Sequence, residues 1–328
     1  MLNFVEIQRV MKKLFIPQFL LTPVLLLLFA SCNTTTQSND KELALNDEKE
    51  VKKTTEALPK KPLSEDFKKY WYAGDAEITS YELEQARYGE IRTGKSVLIY
   101  VTEPFLPEKQ VKADRSNPSN VPVLKLNATK KYLTGIYPYS IMSSTFYPVY
   151  DNQHAIKTSL SVQEWCGHVY SQINNRDSFE FTSHSYFESE ADQNLSIEKN
   201  ILENEIWTKI RINPSDLPIG NFQIVPSLEY LRLRHKEFKA YDAVTSLETS
   251  GANKIYTISY PDLERTLSIT FSSSFPYTIE SWNEVFKSGF GPNAKTLETK
   301  ATRLKSLKTP YWGQNGNDDV VLRNSLGL

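Results

Sequence analysis

The chain has 328 residues, with 38 Lys and Arg against 39 Asp and Glu, for a formal net charge of −1. That balance excludes a general nucleic-acid binder, which needs a basic face, while the length is ample for one large β domain or two smaller ones. Two cysteines, Cys32 and Cys166, are too few for a disulfide framework, so the fold must be held by apolar burial.

The first predicted element is a secretory signal. Met11-Lys12-Lys13 supply the charged start, Leu14 to Ala30 the apolar run, and Ala30-Ser31 the small residues that a lipoprotein peptidase needs before Cys32. Met11 is a better start than Met1, because the stretch from Met1 would put Glu6 and a polar decamer ahead of the lysines. Phe29 departs from the aliphatic residue usual three places before the cysteine. An uncleaved membrane helix needs about 20 apolar residues, and Pro17, Gln18 and Pro23 interrupt a run that is already short. Residues 1–31 therefore read as a lipoprotein signal peptide and Cys32 as the lipidation site. A diacylglycerol on the thiol and an acyl chain such as palmitate on the amine would anchor the protein at about 0.8 kcal/mol per buried methylene. The membrane is thus the first expected partner, and the expected address is the outer membrane.

Residues 32–63 form a tether. From Asn33 to Pro62 there are few apolar residues and no aromatics, too little to offset the entropy of ordering. Ser38-Asn39-Asp40-Lys41-Glu42 resembles the acidic tag that routes lipoproteins to the cell surface, with Lys41 interrupting it, so the periplasmic and the cell-surface faces both stay open.

The globular domain is expected over residues 64–328, beginning where Phe67, Tyr70, Trp71 and Tyr72 appear. Ser64 followed by Glu65 and Asp66 predicts a short helix, the acids favouring its N-terminal dipole. Strands are predicted at 75–87, 96–103, 121–128, 132–148 with a break near Pro138, 155–164, 167–174, 178–188, 221–233, 237–248, 254–260, 265–273, 277–286 and 297–306. Leu267, Ile269 and Phe271 alternate with Ser268, Thr270 and Ser272, the period of a strand with one buried face, while Val97 to Val101 is apolar on both faces. Short links such as Ser250-Gly251-Ala252-Asn253 leave no room for crossover helices. One helix is predicted at 202–211, where Ile206, Trp207 and Ile210 share a face and Asn213-Pro214 ends it. The fold class is all-β and mainly antiparallel: a large curved sheet closing as a barrel or folding over as a sandwich, with that helix packed on it.

The runs Trp71-Tyr72-Ala73-Gly74-Asp75-Ala76-Glu77-Ile78, Leu83-Glu84-Gln85-Ala86-Arg87-Tyr88-Gly89-Glu90, Gln163-Glu164-Trp165-Cys166-Gly167-His168, Ser185-Tyr186-Phe187-Glu188-Ser189-Glu190 and Arg232-Leu233-Arg234-His235-Lys236 resemble a family of uncharacterised Bacteroidota lipoproteins from about Lys69 onward. Members often carry the label "septum formation inhibitor Maf". The Ser-x-Ser-Pro-Arg-Arg motif of Maf nucleotide pyrophosphatases is absent here. The resemblance therefore implies an envelope setting and a β fold, and carries over no catalytic residue.

Three constellations could bear chemistry. Trp165-Cys166-Gly167-His168 looks like the start of a disulfide-isomerase site, but Val169 stands where the resolving thiol belongs. Cys166 with His168 could alternatively be a nucleophile pair, or Cys166 a buried packing residue in a strand beside Trp165 and Tyr170. His184, Tyr186, Glu188 and Glu190 project from one face at period two, with Asp192 beyond. Imidazole and carboxylates could hold a divalent ion, yet residues four apart in a strand lie about 13 Å apart, and a solvated polar face explains them as well. Arg232, Arg234, His235, Lys236 and Lys239 form a basic stripe near a strand end, suited to phosphate, acidic glycan or lipid headgroups, or to ordinary pairing with Glu77, Glu82 and Glu84.

No glycine-rich phosphate loop, paired-Cys zinc spacing, nucleophile elbow or tandem repeat is present, so no cofactor or metal is expected. Two functions remain. The first is a non-catalytic binding or structural lipoprotein whose aromatic surface, drawn from 16 Phe, 18 Tyr and 5 Trp, receives a lipid, glycan or envelope protein. The second is an envelope hydrolase whose acidic residues, or Cys166, converge only in three dimensions.

Overall fold

A computed structural model of the protein describes residues 59–289 and 291–328. The predicted signal peptide, Cys32 and the predicted tether as far as residue 58 lie outside the described residues. The chain is already tied down at Lys61, whose ammonium bonds Asp151 at 3.0 Å and Asp216 at 2.7 Å, and Leu63 packs on the core.

Sixteen strands form one sheet: β1 (Ala76–Arg87), β2 (Glu90–Leu106), β3 (Val111–Lys112), β4 (Val121–Thr134), β5 (Tyr137–Pro148), β6 (Lys157–Glu164), β7 (Gly167–Asn175), β8 (Phe179–Ser185), β9 (Gln193–Ile197), β10 (Ile201–Leu202), β11 (Gly220–Val225), β12 (Tyr241–Ser250), β13 (Asn253–Tyr260), β14 (Arg265–Ser272), β15 (Ile279–Ser288) and β16 (Lys295–Thr309). Their order is β10-β11-β12-β13-β14-β15-β16-β1-β2-β4-β5-β6-β7-β8-β9, with β3 as a short extra on β2. Among the described residues only β10 and β11 pair in parallel; every other neighbour is antiparallel. Hairpins account for most of this order. The join between its two halves is long-range, because β1 pairs with the last strand, β16, from Ala76 opposite Thr309 to Glu84 opposite Lys300.

The antiparallel class expected from alternation is what forms, and β14 shows why. Along it Leu267, Ile269 and Phe271 are buried while the residues between them are half-exposed, so one face of the sheet is covered. The sheet does not close, however. The terminal strands β9 and β10 are joined by residues 198–200 but do not hydrogen-bond to each other.

Helix α1 (Glu65–Trp71) forms at the predicted place, with Ser64 Oγ accepting the Phe67 N–H at 3.1 Å, an N-cap of the expected kind. Phe67 and Trp71 are its buried side chains. Helix α2 (Glu203–Ile212) matches the predicted 202–211. Ile206 and Ile210, one turn apart, are fully buried, and Asn213-Pro214 ends the helix by starting a separate 3-10 turn.

The interior side of α2 is also charged, and it spans the sheet like a tie-bar. Glu203 reaches Arg265 on β14, and Glu205 accepts from the Ala155 N–H at 2.8 Å and bonds His154 at 2.9 Å. Lys209 bonds Asp151 at 2.6 Å, and Arg211 meets Glu77 on β1.

Two predicted strands are corrected. The 132–148 stretch is two strands, broken by a two-residue turn at Gly135-Ile136 rather than near Pro138. Gly135 has φ +59°, a conformation that glycine adopts without strain. The 221–233 stretch stays extended only to Val225. After Pro226, Ser227 caps helix α3 (Leu228–Arg234), its Oγ accepting the Tyr230 N–H at 3.2 Å. A short helix, α4 (Leu322–Ser325), lies near the C-terminus, so α3 and α4 add to the two helices expected at Ser64 and at 202–211.

Candidate functional site

Period two aims a set of side chains from neighbouring strands at the face that α2 and α3 cover. Gln85 and Arg87 come from β1, Ser96 and Leu98 from β2, Leu126, Ala128 and Lys130 from β4, Ser143 and Thr145 from β5, Leu267 from β14, and Trp282, Glu284 and Phe286 from β15. Trp207 and Asn204 of α2 and Tyr230, Leu233 and Arg234 of α3 complete the wall. Together they line a partly open cavity of about 80 Å³. The aromatic side is braced: the Trp207 ring meets Trp282 edge-on at 5.3 Å, and Trp282 lies 4.8 Å from Tyr81.

The charged groups in this wall are mostly committed to one another. Arg265 donates to both oxygens of Glu203, at 2.5 and 2.7 Å, and to Glu284 at 2.7 Å. Tyr260 adds a hydroxyl bond to Glu203 at 2.7 Å. Burial pushes the Glu203 carboxyl up, but the adjacent Arg265 guanidinium and these hydrogen bonds outweigh it and hold the group below its ordinary value. Lys130 bonds Glu229 at 2.8 Å.

Arg87 is held differently. It donates to the Leu233 carbonyl at 2.8 Å and to the hydroxyls of Tyr88 and Tyr139 at 3.1 Å each, while its Nε has no partner. The Gln85 Oε1, in the same wall, has none either, nor has the hydroxyl of Tyr132, whose ring stacks on Tyr139 at 5.0 Å.

A second hollow, of about 290 Å³, lies on the other side of α3, between that helix and the β7–β9 region. Here the predicted basic stripe finds its place. It belongs to a helix and its C-cap, not to a strand end, and α3 divides it: Arg232, His235 and Lys236 line the second hollow and Arg234 the first. Arg232 bonds Glu190 at 2.8 Å and His235 bonds the same carboxylate at 2.7 Å. Lys239 bonds Glu237 at 2.7 Å. The expected acidic partners are occupied elsewhere, Glu77 by Arg211 and Glu82 by Lys95.

The Trp165-Cys166-Gly167-His168 stretch is overturned as a buried strand. Glu164 pairs with Gly167 across the ladder, so Trp165 and Cys166 are the two-residue hairpin tip between β6 and β7, and Gly167 opens β7 at φ +156°, where a Cβ would meet the Tyr186 ring at 2.7 Å. Cys166, His168 and Trp165 are all exposed, the indole at 69%. The Cys166 N–H bonds Glu164 at 2.7 Å, and the same carboxylate pushes the thiol up.

His184 and Glu188 do not share a strand face, because β8 ends at Ser185 and the chain turns. His184 lies 3.3 Å from Asp192 and Glu188 is exposed. Among the described residues no three His, Cys, Asp or Glu side chains gather as a metal site.

The cavity residues themselves escaped sequence reading, although one signal was available. A charged residue in the buried register of an apolar strand marks an interior polar site, and Arg265 precedes Leu267, Ile269 and Phe271 in that register. Arg87 follows Tyr81, Leu83 and Gln85 in the same way.

No protein-family model matches the chain, and no curated protein matches it. Among solved structures, a porin-like protein from Bacteroides uniformis is similar at 10% identity over 76% of this chain and 98% of that one, with a TM-score of 0.19. A likeness at that level carries no argument about fold or function.

Proposed function

We propose that this chain is a lipid-anchored protein of the outer membrane, on its periplasmic or cell-surface face, that binds a ligand without transforming it in the cavity between α2, α3 and the sheet. The anchor is the reading that Lys12, Lys13, the apolar run and Cys32 support. The observation that carries the binding role is the cavity: a hollow walled by Leu98, Leu126, Leu267 and two tryptophans, with two polar atoms, Gln85 Oε1 and Arg87 Nε, left unpaired in its lining, has the composition of a small-molecule site.

The chemistry of the wall favours binding over hydrolysis. A general acid must hold its proton near neutral pH, whereas Glu203 is kept ionised by Arg265. Glu284 is bonded to the same guanidinium and Glu229 to Lys130. Cys166, the other candidate nucleophile, sits on an exposed hairpin tip outside the cavity wall.

Native mass spectrometry of the full chain, purified without denaturation, tests this reading. A retained small molecule is expected in the wild type. It should be lost in Ala128→Leu, which fills the cavity from β4 opposite Ser143, while circular dichroism stays unchanged. Turnover of an envelope glycan or peptide polymer that disappears in Glu284→Gln would overturn the binding role in favour of a hydrolase.

A further inference from the structure

Three arginines are buried among the described residues, namely Arg87, Arg211 and Arg265. Two of them follow one rule. Arg211 grips both oxygens of Glu77, at 2.7 and 2.6 Å, and Arg265 grips both oxygens of Glu203 and one of Glu284. Arg87 breaks the rule. Its partners are a carbonyl and two tyrosine hydroxyls, all neutral, and its Nε is bonded to nothing.

A guanidinium keeps its proton in a protein, and a buried charge is costly unless it is paired. The rings of Tyr88 at 4.1 Å and Tyr139 at 5.3 Å attract the cation but do not neutralise it. Charge counting over the cavity wall gives the same answer. Arg87, Lys130, Arg234 and Arg265 face Glu203, Glu229 and Glu284, and all three carboxylates are already bonded to Arg265 or Lys130. Arg234, in the same wall, is held below its ordinary value by burial first, and Arg87's like charge adds to it. The wall holds one more cation than carboxylate, Arg234 feels the attraction of Glu284, and none of the three carboxylates bonds Arg87.

We propose that Arg87 receives the anionic group, carboxylate or phosphate, of a ligand whose apolar part lies along Leu98, Leu126, Leu267 and Trp282. This rests on the cavity-binding reading and adds the charge of the ligand to it. The space of about 80 Å³ is near half that of an engineered cavity known to hold benzene, roughly 150 Å³. It therefore suits an acid group with a short alkyl segment.

Ligand-observed NMR titration of the full chain with butanoate, butyl phosphate, 1-butanol and inorganic phosphate tests the assignment. In the wild type at least one of the two anionic butyl probes should bind about tenfold or more tighter than 1-butanol. Arg87→Gln should remove that preference, and Arg87→Lys, which keeps the charge without the fork, should retain part of it. The wild-type comparison needs no variant, so a folding defect in either substitution leaves the test intact. Butanol binding as tightly as both anions would overturn the anion assignment and leave the cavity reading standing. Inorganic phosphate binding as tightly as butyl phosphate would overturn the apolar half. Failure of all four probes would overturn the assignment, and with no retained molecule in native mass spectrometry the cavity reading would fall as well.

Discussion

Replacing Arg211 with methionine isolates the tie between α2 and β1. The wild-type guanidinium makes two short bonds to Glu77, a third at 2.8 Å to the Pro276 carbonyl, and lies over the rings of Tyr100 at 4.7 Å and Trp71 at 5.0 Å. Methionine keeps most of the apolar contact and removes the charge. Glu77, 2% exposed, is left with only the Tyr70 and Thr79 hydroxyls. Breaking a buried pair from one side costs about 3–5 kcal/mol, and that is the loss expected at pH 7.

The pH dependence should also change sign. In the wild type, burial pushes the Glu77 carboxyl up but Arg211 pulls it below its ordinary value of 4.5, so its contribution is present above that value and lost as pH falls through the folded one. Without Arg211 only the Tyr70 and Thr79 hydroxyls oppose burial, and the folded value rises. The variant's penalty then grows as pH rises above 4.5 and shrinks as pH falls toward 4. Urea unfolding followed by tryptophan fluorescence, at pH 7 and at pH 4.5, reads both effects. The double variant Glu77→Gln with Arg211→Met should recover part of the loss at pH 7, since no buried carboxylate remains. A single-variant loss below about 1 kcal/mol, the scale of an exposed pair, or a penalty independent of pH, would refute the account.

Cys166 should react rapidly with a thiol reagent in the folded protein, the rate rising with pH, and Glu164→Gln should speed it at neutral pH by removing the carboxylate that pushes the thiol up; alkylation only after unfolding would contradict the exposed hairpin tip. Gly94→Ala should destabilise by about 1–3 kcal/mol in chemical unfolding, because a Cβ there would strike the Lys131 carbonyl and lie 2.7 Å from the Tyr132 Cβ across the β2–β4 ladder. Cys32→Ala should abolish incorporation of a fatty-acid analogue in cells, and equal labelling of the two proteins would dismiss the lipoprotein signal.

What could be read from the sequence was what depends on neighbours along the chain. Alternation at Leu267, Ile269 and Phe271 fixed the class, and Ser64 and Asn213-Pro214 marked helix ends through bonds spanning only a few residues. Leu228 to Arg234 was misread because Tyr230, Arg232 and Arg234 alternate with Leu231 and Leu233, a pattern that a short helix also permits. Its decisive signal was Ser227 after Pro226, with Glu229 in the first turn and Arg232 and Arg234 in the last. Trp165 and Cys166 look apolar, yet they are themselves the two-residue reversal between Glu164 and Gly167, which puts them in water. Which groups meet in the cavity was beyond reach for a different reason, even though the buried register of Arg87 and Arg265 hinted at an interior polar site. Arg87 meets Leu233, and Arg265 meets Glu203, only after strands far apart in the chain have found their register, and no local spacing encodes such a meeting.

The pairing of β1 with β16 sets the order in which the molecule can be assembled. A strand in the middle of the sheet has one neighbour, β2, supplied by the next hairpin, while the other comes from the last strand of the chain. In the folding chain the β16-facing row of β1 amides and carbonyls stays unpaired until Lys295–Thr309 has joined it. The apolar face beneath it stays bare until α2 emerges from residue 203 onward. Contacts of such sequence separation slow folding, and an open strand edge over bare apolar surface invites pairing with another chain. Until its C-terminal strand docks, then, the most exposed edge of this domain lies at the centre of its future sheet, and separation from other copies favours the native pairing.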